Sequence, residues 1–179
     1  MYWADKVAKE IIESENFKPY WVDDMKTLSG YPTVGSLRGP FVHDFIYKAL
    51  LNAGVDAKFT YIFNDFDPMD EVPPELKEKF SKYLGLPLKN VPSPKTGFPN
   101  YADYFAADFG DILRELGISC EFLSSFEMYK KDLKATGIAA RGWVWTAWNR
   151  REERLFNNIG DAQNTYPVWS ASPVLALDT

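Results

Sequence analysis

Ser29-Gly-Tyr-Pro-Thr-Val-Gly-Ser-Leu-Arg38 is the stretch that decides the fold of this chain. It is small and punctuated by glycine and proline, it follows an apolar run, and it leads directly into an amphipathic helix. A tight strand–turn–helix junction of this kind directs backbone N–H groups and a helix N-terminus toward one point, which suits a phosphate. Taken alone the signal is weak, because many α/β proteins turn from strand to helix through Gly and Ser without any ligand.

The elements around this junction predict a βαβ unit. Residues 3–14 have the spacing of an amphipathic helix, and residues 20–22 are typical of a short buried strand. The helix after the junction ends near residues 52–54, and residues 58–63 form a second apolar run. Strand, turn, helix and strand in this order favour parallel strands joined by a right-handed crossover.

The next part of the chain extends the α/β pattern. Two prolines open a predicted helix over residues 73–83, and further prolines make residues 87–99 a loop. A strongly amphipathic helix is predicted over residues 101–116, and a third strand over residues 119–123. The predicted fold class is α/β, a Rossmann-like three-layer α/β/α domain with a parallel sheet.

A second polar segment, Asn64-Asp-Phe-Asp-Pro-Met-Asp-Glu-Val-Pro73, follows the apolar run 59–63. Together the two segments resemble the class I lysyl-tRNA synthetase family, which reads approximately T-P-S-G-Y-P-H-V-G-N-L-R-E at the first and D-D-Y-D-P-M-R-K-V-P at the second. The resemblance extends from Met1 to about Lys131 and is specific in its combination of motifs. Its shorter matches are residues 3–5, 41–44, 46–47, 83–85, 87–88, 91–94 and 101–106.

The resemblance implies a function in lysine–tRNA ligation, with ATP, lysine and tRNA as partners and Mg²⁺ as a possible companion of ATP. It also implies that the chain is a truncated and weak or inactive portion. The Lys-Met-Ser-Lys-Ser-type loop is absent from the sequence, as is an anticodon-binding helical region. Two other hypotheses are a degenerate nucleotide-binding module without catalysis and a fragment without function.

The resemblance places Thr33 where the family's signature has its first His, and Ser36 where it has Asn. These two residues are the predicted catalytic positions, and Gly30, Gly35 and Ser36 are the predicted ATP-binding residues. Each hydroxyl can donate one hydrogen bond, but it reaches less far than imidazole and carries no charge. Because the loss of one such donor typically costs about 100- to 1,000-fold in rate, we expect poor catalysis.

The segment before the signature is predicted to hold the substrate lysine. Thr27 matches a family Thr, and Thr27 and Ser29 are predicted substrate-binding residues. Met25 replaces a family Gly, so its side chain is expected to fill space. Lys26 replaces an aromatic or aliphatic residue; it is expected to face solvent, and it would repel a lysine ammonium if it pointed inward.

Asp65 and Asp67 are the other predicted substrate-binding residues. Side chains two residues apart in extended chain point to the same side, and this pair follows the second strand, where α/β sheets place ligands. The two carboxylates would therefore hold an ammonium or a Mg²⁺ ion. The alternative is a solvated acidic loop in which an Asp caps the turn before Pro68.

Composition excludes several classes of protein. A net charge of -5 argues against a free-standing nucleic-acid binder with a basic face. The single cysteine, Cys120, permits neither an internal disulfide nor a cysteine-based metal site, and we predict no metal ligands. His43, the only histidine, is expected to bond to neighbours such as Asp44 or Tyr47. The sequence shows no leader and no long apolar run, which predicts a cytoplasmic protein without membrane contact.

The chain is predicted to divide into residues 1–132, the Rossmann-like portion, and residues 133–179, an atypical tail. The tail contains four of the six tryptophans, and residues 137–148 show no clean periodicity. Because no buried face is evident for these aromatic side chains, we expect poor packing and self-association. The tail does not fit the family, which a truncated or rearranged coding sequence or a family-specific extension would explain.

Overall fold

The computed structural model describes residues 2–140, 142–161 and 170–178. The chain forms two compact units, Met1–Ser125 and Phe126–Thr179. The predicted boundary between residues 132 and 133 stays a prediction.

The first unit is a parallel three-stranded sheet with helices packed on it, which confirms the Rossmann-like α/β class. The strands lie in the order β1-β2-β3. They are β1 (Tyr20–Thr27), β2 (Ala57–Asn64) and β3 (Glu121–Ser124). The helices are α1 (Trp3–Ser14), α2 (Arg38–Asn52), α3 (Lys77–Phe80) and α4 (Tyr101–Glu115).

The core lies between one face of this sheet and helices α2 and α4. Phe59, Tyr61 and Phe63 lie on the same face of β2, because every second residue of a strand points to the same side. All three side chains are buried. Tyr47 of α2 packs 5.8 Å from the Phe59 ring, and Phe109 of α4 packs 5.5 Å from Tyr61. Each buried aromatic of this kind contributes about 2 to 3 kcal/mol to folding, so this face fixes both helices.

The first strand differs from its prediction. It runs from Tyr20 to Thr27, and within the predicted buried stretch 20–22 only Val22 is buried. Trp21 lies on the opposite face, where its indole N–H donates to Thr60 at 2.6 Å, and Thr60 in turn donates to Asp23 at 2.6 Å. The expectation of a wholly buried strand is wrong, because only the Val22 face of β1 is buried. On the other face Trp21 is exposed, and its indole N–H and the Asp23 carboxylate both hydrogen-bond to the Thr60 hydroxyl.

Of the two helices predicted after β2, one is confirmed and the other is broken into short turns. Residues 101–115 form α4 as predicted, and Asn100 caps it by accepting from the Asp103 N–H at 2.9 Å. The single helix predicted over 73–83 is instead a 3₁₀ turn, the one-turn α3 and a second 3₁₀ turn. Within this segment Phe80 is buried, whereas Leu76 and Tyr83 are only partly buried against the core, so a longer helix would lack a fully buried apolar face.

The second unit contains helix α5 and an antiparallel sheet in the order β5-β4-β6. Residues 137–148, which show no clean periodicity, contain the end of α5 and most of β4. The missing periodicity follows from the change from helix to strand within this stretch and from apolar side chains on both faces of β4, where Val144 and Ala147 are buried and Trp143 and Trp145 are half-buried. The elements are α5 (Ser125–Ala139), β4 (Gly142–Asn149), β5 (Arg154–Asp161) and β6 (Ala171–Asp178).

The tryptophans of the tail are partly accommodated by this sheet. Trp143 and Trp145 pack on each other at 5.8 Å between ring centroids, whereas Trp148 is 40% exposed. Trp169 lies outside the described residues. Self-association stays a prediction. In the described part of the chain, no helix has both the length and the apolar character needed to cross a membrane.

We expect a chain that ends after Ser125 to fold on its own, because the buried residues of the main hydrophobic cluster all lie between Ala4 and Ile118. Urea unfolding followed by circular dichroism should show one cooperative transition, and solubility should exceed that of the full chain. Loss of the cooperative transition in the shortened chain, with the full chain as control, would show that the second unit is part of the core.

Candidate functional site

The candidate site lies at the edge of the sheet where the three parallel strands end. Thr27, Asn64 and Ser124 are the last residues of β1, β2 and β3. Parallel α/β sheets bind ligands outside this edge. The segments that leave it, 28–37 and 65–73, contain most of the residues predicted from the sequence.

The predicted signature residues form the start of a helix. Val34–Leu37 is a 3₁₀ turn that continues into α2, and Thr33 is its N-cap. Thr33 and Ser36 bind each other reciprocally: Thr33 Oγ1 accepts from the Ser36 N–H at 3.3 Å, and Ser36 Oγ accepts from the Thr33 N–H at 2.8 Å. The Ser36 hydroxyl also donates to the Thr33 carbonyl at 2.7 Å.

This capping leaves one hydroxyl donor rather than two. The single proton of the Ser36 hydroxyl is used within the turn. Thr33 Oγ1 acts as an acceptor, and no acceptor for its own proton is found in the described residues. The Thr33 hydroxyl is therefore the signature side chain that remains able to donate to a ligand.

A cavity of about 340 Å³ opens beside this turn. It brings together Ser29, Gly30 and Thr33 of the predicted site, whereas Gly35 and Ser36 are not among its lining residues. Of the remaining predicted residues, Thr27, Asp65 and Asp67 also lie outside its lining. The cavity is lined by Lys26, Ser29, Gly30, Tyr31, Thr33, Glu71, Pro73, Pro74 and Glu75.

Two close contacts hold the walls of this cavity in place. A Cβ on Gly30 would lie 2.8 Å from Pro73 Cγ, so only glycine lets the two segments approach this closely. The Tyr101 hydroxyl donates to the Ser29 carbonyl at 2.8 Å and ties the loop to α4. Burial is the main reason why the pKa of Tyr101 is raised, so this donor stays protonated.

Lys26 faces the cavity, and the expectation that it faces solvent is wrong. Its ammonium lies 5.6 Å from the centroid of the Phe109 ring, and burial lowers the pKa of this ammonium. Met25 points the other way and is 55% exposed, so it does not fill the cavity as expected. Both outcomes follow from strand geometry, since neighbouring residues of β1 lie on opposite faces.

Asp65 is buried and bound by the chain's own groups. It pairs with the Lys89 ammonium at 2.9 Å and accepts from the hydroxyls of Ser124 at 2.5 Å and Ser125 at 3.0 Å. The Lys89 N–H also donates to the Asp65 carbonyl at 2.9 Å. Asp65 therefore already holds an ammonium, and its assignment to a substrate stays a prediction.

Asp67 has a different partner from Asp65. It accepts from the Thr27 hydroxyl at 2.5 Å, which links the end of β1 to the segment after β2. The two carboxylates thus serve separate contacts within the described residues. Sequence reasoning found Thr27 and both carboxylates but missed Lys89, whose distance along the chain gives no signal of the pairing.

His43 lies outside the cavity and has other partners than expected. Its Nδ1 is 2.8 Å from the Gly39 carbonyl and 3.4 Å from Asp24 Oδ2. The expected bond to Asp44 is not formed, because Asp44 pairs with Lys48 at 2.6 Å. This histidine is a structural residue of the α2–β1 contact.

A family model described as tRNA synthetases class I (K) matches residues 1–141. The lysine–tRNA ligase of Methanococcus maripaludis is 35% identical over 130 residues, which are 73% of this chain and 24% of that protein. The lysine–tRNA ligase of Methanocaldococcus jannaschii is 35% identical over 133 residues, 74% of this chain and 25% of that protein. Lysine–tRNA ligase 1 of Methanosarcina acetivorans is 35% identical over 153 residues, 86% of this chain and 27% of that protein. The chain spans about a quarter of the length of these curated relatives.

Replacing Lys89 by methionine should destabilise the first unit by about 3 kcal/mol, because it removes the Lys89 ammonium from a buried carboxylate. Urea unfolding measures the change in the free energy of unfolding. The double variant with Asp65→Asn should recover part of the loss, since it removes the carboxylate charge that Lys89 neutralises. A loss in Lys89→Met no larger than the roughly 0 to 1 kcal/mol of a surface pair would contradict a structural role for this contact.

Proposed function

Because the chain belongs to the class I (K) tRNA synthetase family, we propose that its first unit binds ATP and lysine as part of a lysine–tRNA ligase site. The observation that carries this proposal is the cavity at the strand–turn–helix junction. Ser29, Gly30 and Thr33, which the resemblance assigns to lysine, ATP and catalysis, all line it. A helix N-terminus beside such a cavity favours the negative charge of a phosphate.

The proposed reaction needs positioning more than covalent chemistry. A carboxylate oxygen of lysine attacks the α-phosphorus of ATP, the new P–O bond forms, and the bond to the β-phosphate breaks to release pyrophosphate. The lysyl group then passes to tRNA. Hydrogen-bond donors and positive charge around the phosphorus lower the barrier of the first step. The Thr33 hydroxyl and the backbone N–H groups of the turn are the donors proposed here.

A second candidate is a nucleotide-binding module without turnover. The mutual capping of Thr33 and Ser36 favours it, because the turn consumes the Ser36 proton that a catalytic site would use. Both candidate functions involve ATP binding, but only the ligase site would form the lysyl adenylate at a measurable rate. The rate of lysine-dependent pyrophosphate exchange therefore separates them.

Mg²⁺ is proposed as the companion of ATP, whose phosphate charge it neutralises when bound. This ion is usually held by one or two carboxylates together with substrate phosphates. Asp65 fits poorly as a ligand since its oxygens already bind Lys89, Ser124 and Ser125. Glu71 and Glu75 line the cavity and fit better. The described residues hold no cluster of three or more metal-ligating side chains, so ATP would have to supply most ligands.

Contact with tRNA and a cytoplasmic location are proposed from family membership. The curated relatives are named as lysine–tRNA ligases, and this chain covers about a quarter of them. The net charge of -5 means that any tRNA contact depends on a local basic patch.

We expect ATP to perturb the amide NMR signals of residues 29–38. Gly35→Val should abolish this binding, because the resemblance implies that adenine packs closely against this glycine and a side chain would fill that space. The fold should tolerate the change, because a Cβ at Gly35 meets only Thr33 Oγ1, at an ordinary 3.6 Å. Val34→Ala, at a side chain that is 88% exposed, is the matched control and should bind ATP normally. Unchanged ATP affinity in Gly35→Val would refute the assignment of this glycine.

Lysine-dependent pyrophosphate exchange by this chain should be near background, and Thr33→His should raise kcat more than it lowers the KM for ATP. An imidazole donor would act mainly on the transition state. Thr33→Ala is the control: it also loses the cap, at a cost of about 1 kcal/mol in stability, but gains no donor. Robust exchange by the unaltered chain would exclude the binding module and show that Thr33 and Ser36 suffice.

A further inference from the structure

The cavity contains one cationic side chain that the proposed reaction does not yet use. We propose that Lys26 binds the polyphosphate of the nucleotide and supplies, from β1, the positive charge that Thr33 and Ser36 do not carry. This inference rests on the proposed ATP site and names the residue that gives it anion affinity.

The first argument is placement. Lys26 lines the same cavity as Gly30 and Thr33, so its ammonium and the helix N-terminus border one space. Its stem lies on the α4 side of the sheet, where the ammonium sits 5.6 Å from the Phe109 ring centroid. A cation over an aromatic face is attracted to it and keeps a limited range of orientations. The charge is therefore held at the cavity.

The second argument is the lack of a carboxylate partner. Several lysines of this chain form ion pairs, among them Lys48 with Asp44 and Lys89 with Asp65. No carboxylate oxygen of the described residues lies within 4.0 Å of Lys26. A half-buried ammonium has lost part of its hydration, and an anion that enters the cavity would compensate for that loss.

The third argument concerns Glu71 and Glu75, which line the cavity as well. Both side chains are exposed, so solvent and salt screen their repulsion of an anion. They also offer oxygen ligands to a Mg²⁺ ion that accompanies a polyphosphate. A free carboxylate, such as that of lysine, presents the same anionic oxygens to Lys26 but brings no Mg²⁺ with it. Glu71 and Glu75 therefore favour a polyphosphate with Mg²⁺ over a free carboxylate as the anion that Lys26 binds.

The test compares four ligands on the full chain by calorimetry and NMR: ATP with Mg²⁺, adenosine, inorganic pyrophosphate with Mg²⁺, and lysine. Lys26→Met should weaken the binding of ATP and of pyrophosphate by about ten- to a hundredfold, which is the range of a hydrogen bond to a charged group. The affinity for adenosine should be unchanged. Lys26→Arg keeps the charge and should retain most of the affinity. Lys58→Met removes an exposed lysine of β2 and should change nothing.

Each outcome decides the proposal. Equal ATP affinity in Lys26→Met and the unaltered chain overturns it, and so does an equal loss for ATP and adenosine, which would indicate altered structure. Weaker lysine binding with unchanged pyrophosphate assigns Lys26 to the amino-acid carboxylate and overturns the phosphate assignment. If pyrophosphate binds through Lys26 while lysine does not bind, the anion site stands and the ligase function fails. If neither ATP nor pyrophosphate binds, both proposals fail.

Discussion

The buried pair of Asp65 and Lys89 is the contact on which the carboxyl edge of the sheet depends. Asp65 follows β2, Ser124 ends β3, and Lys89 belongs to the loop before α4, so one carboxylate joins three separate segments. Leaving such a charge unpaired in the interior would cost several kcal/mol, which makes the arrangement effectively obligatory once the core has formed. Asp67 extends the network to β1 through Thr27. Two carboxylates thus fix the ends of all three strands against one another.

This network also bears on the proposed position of a ligand. With Asp65 and Asp67 engaged in internal contacts, the cavity lies to one side, at the junction between β1 and the helical turn. Its walls are held by the Gly30–Pro73 approach and by the Tyr101 hydroxyl, and neither contact depends on a ligand. A site whose walls are fixed in advance loses little entropy when it binds, which is the condition for catalysis by positioning. Asp65 and Asp67 therefore support the sheet edge beside the cavity, and the proposed ligand contacts come from Lys26 and the turn.

The sequence predicts the parts of this structure that follow from local patterns. Periodicity and the positions of glycine and proline predict helices α1 and α4, strand β2 and the turn into α2 at residues 29–38. The orientation of Lys26 could not be predicted in this way, because it depends on which face of β1 the helices cover. The contact of Lys89 was hidden by its separation from Asp65 along the chain, and strand β4 was hidden by the apolar side chains on both of its faces. Local rules therefore gave the scaffold, whereas the charges of the cavity required the packed structure.

The source of the positive charge bears on whether the cavity catalyses or only binds. An imidazole at the helix start donates a directed hydrogen bond to a fixed point, which suits the charge that develops on the phosphorus oxygens in the transition state. The proposed Lys26 contact supplies a point charge with three rotatable donors, which attracts a polyphosphate without directing one hydrogen bond at a fixed oxygen. Such a charge stabilises the bound nucleotide and the transition state to similar extents, so it strengthens binding without raising kcat. If Lys26 binds the polyphosphate as proposed, the ammonium in place of a directed donor, together with the engaged Ser36 hydroxyl, gives a physical reason to expect nucleotide binding with poor turnover.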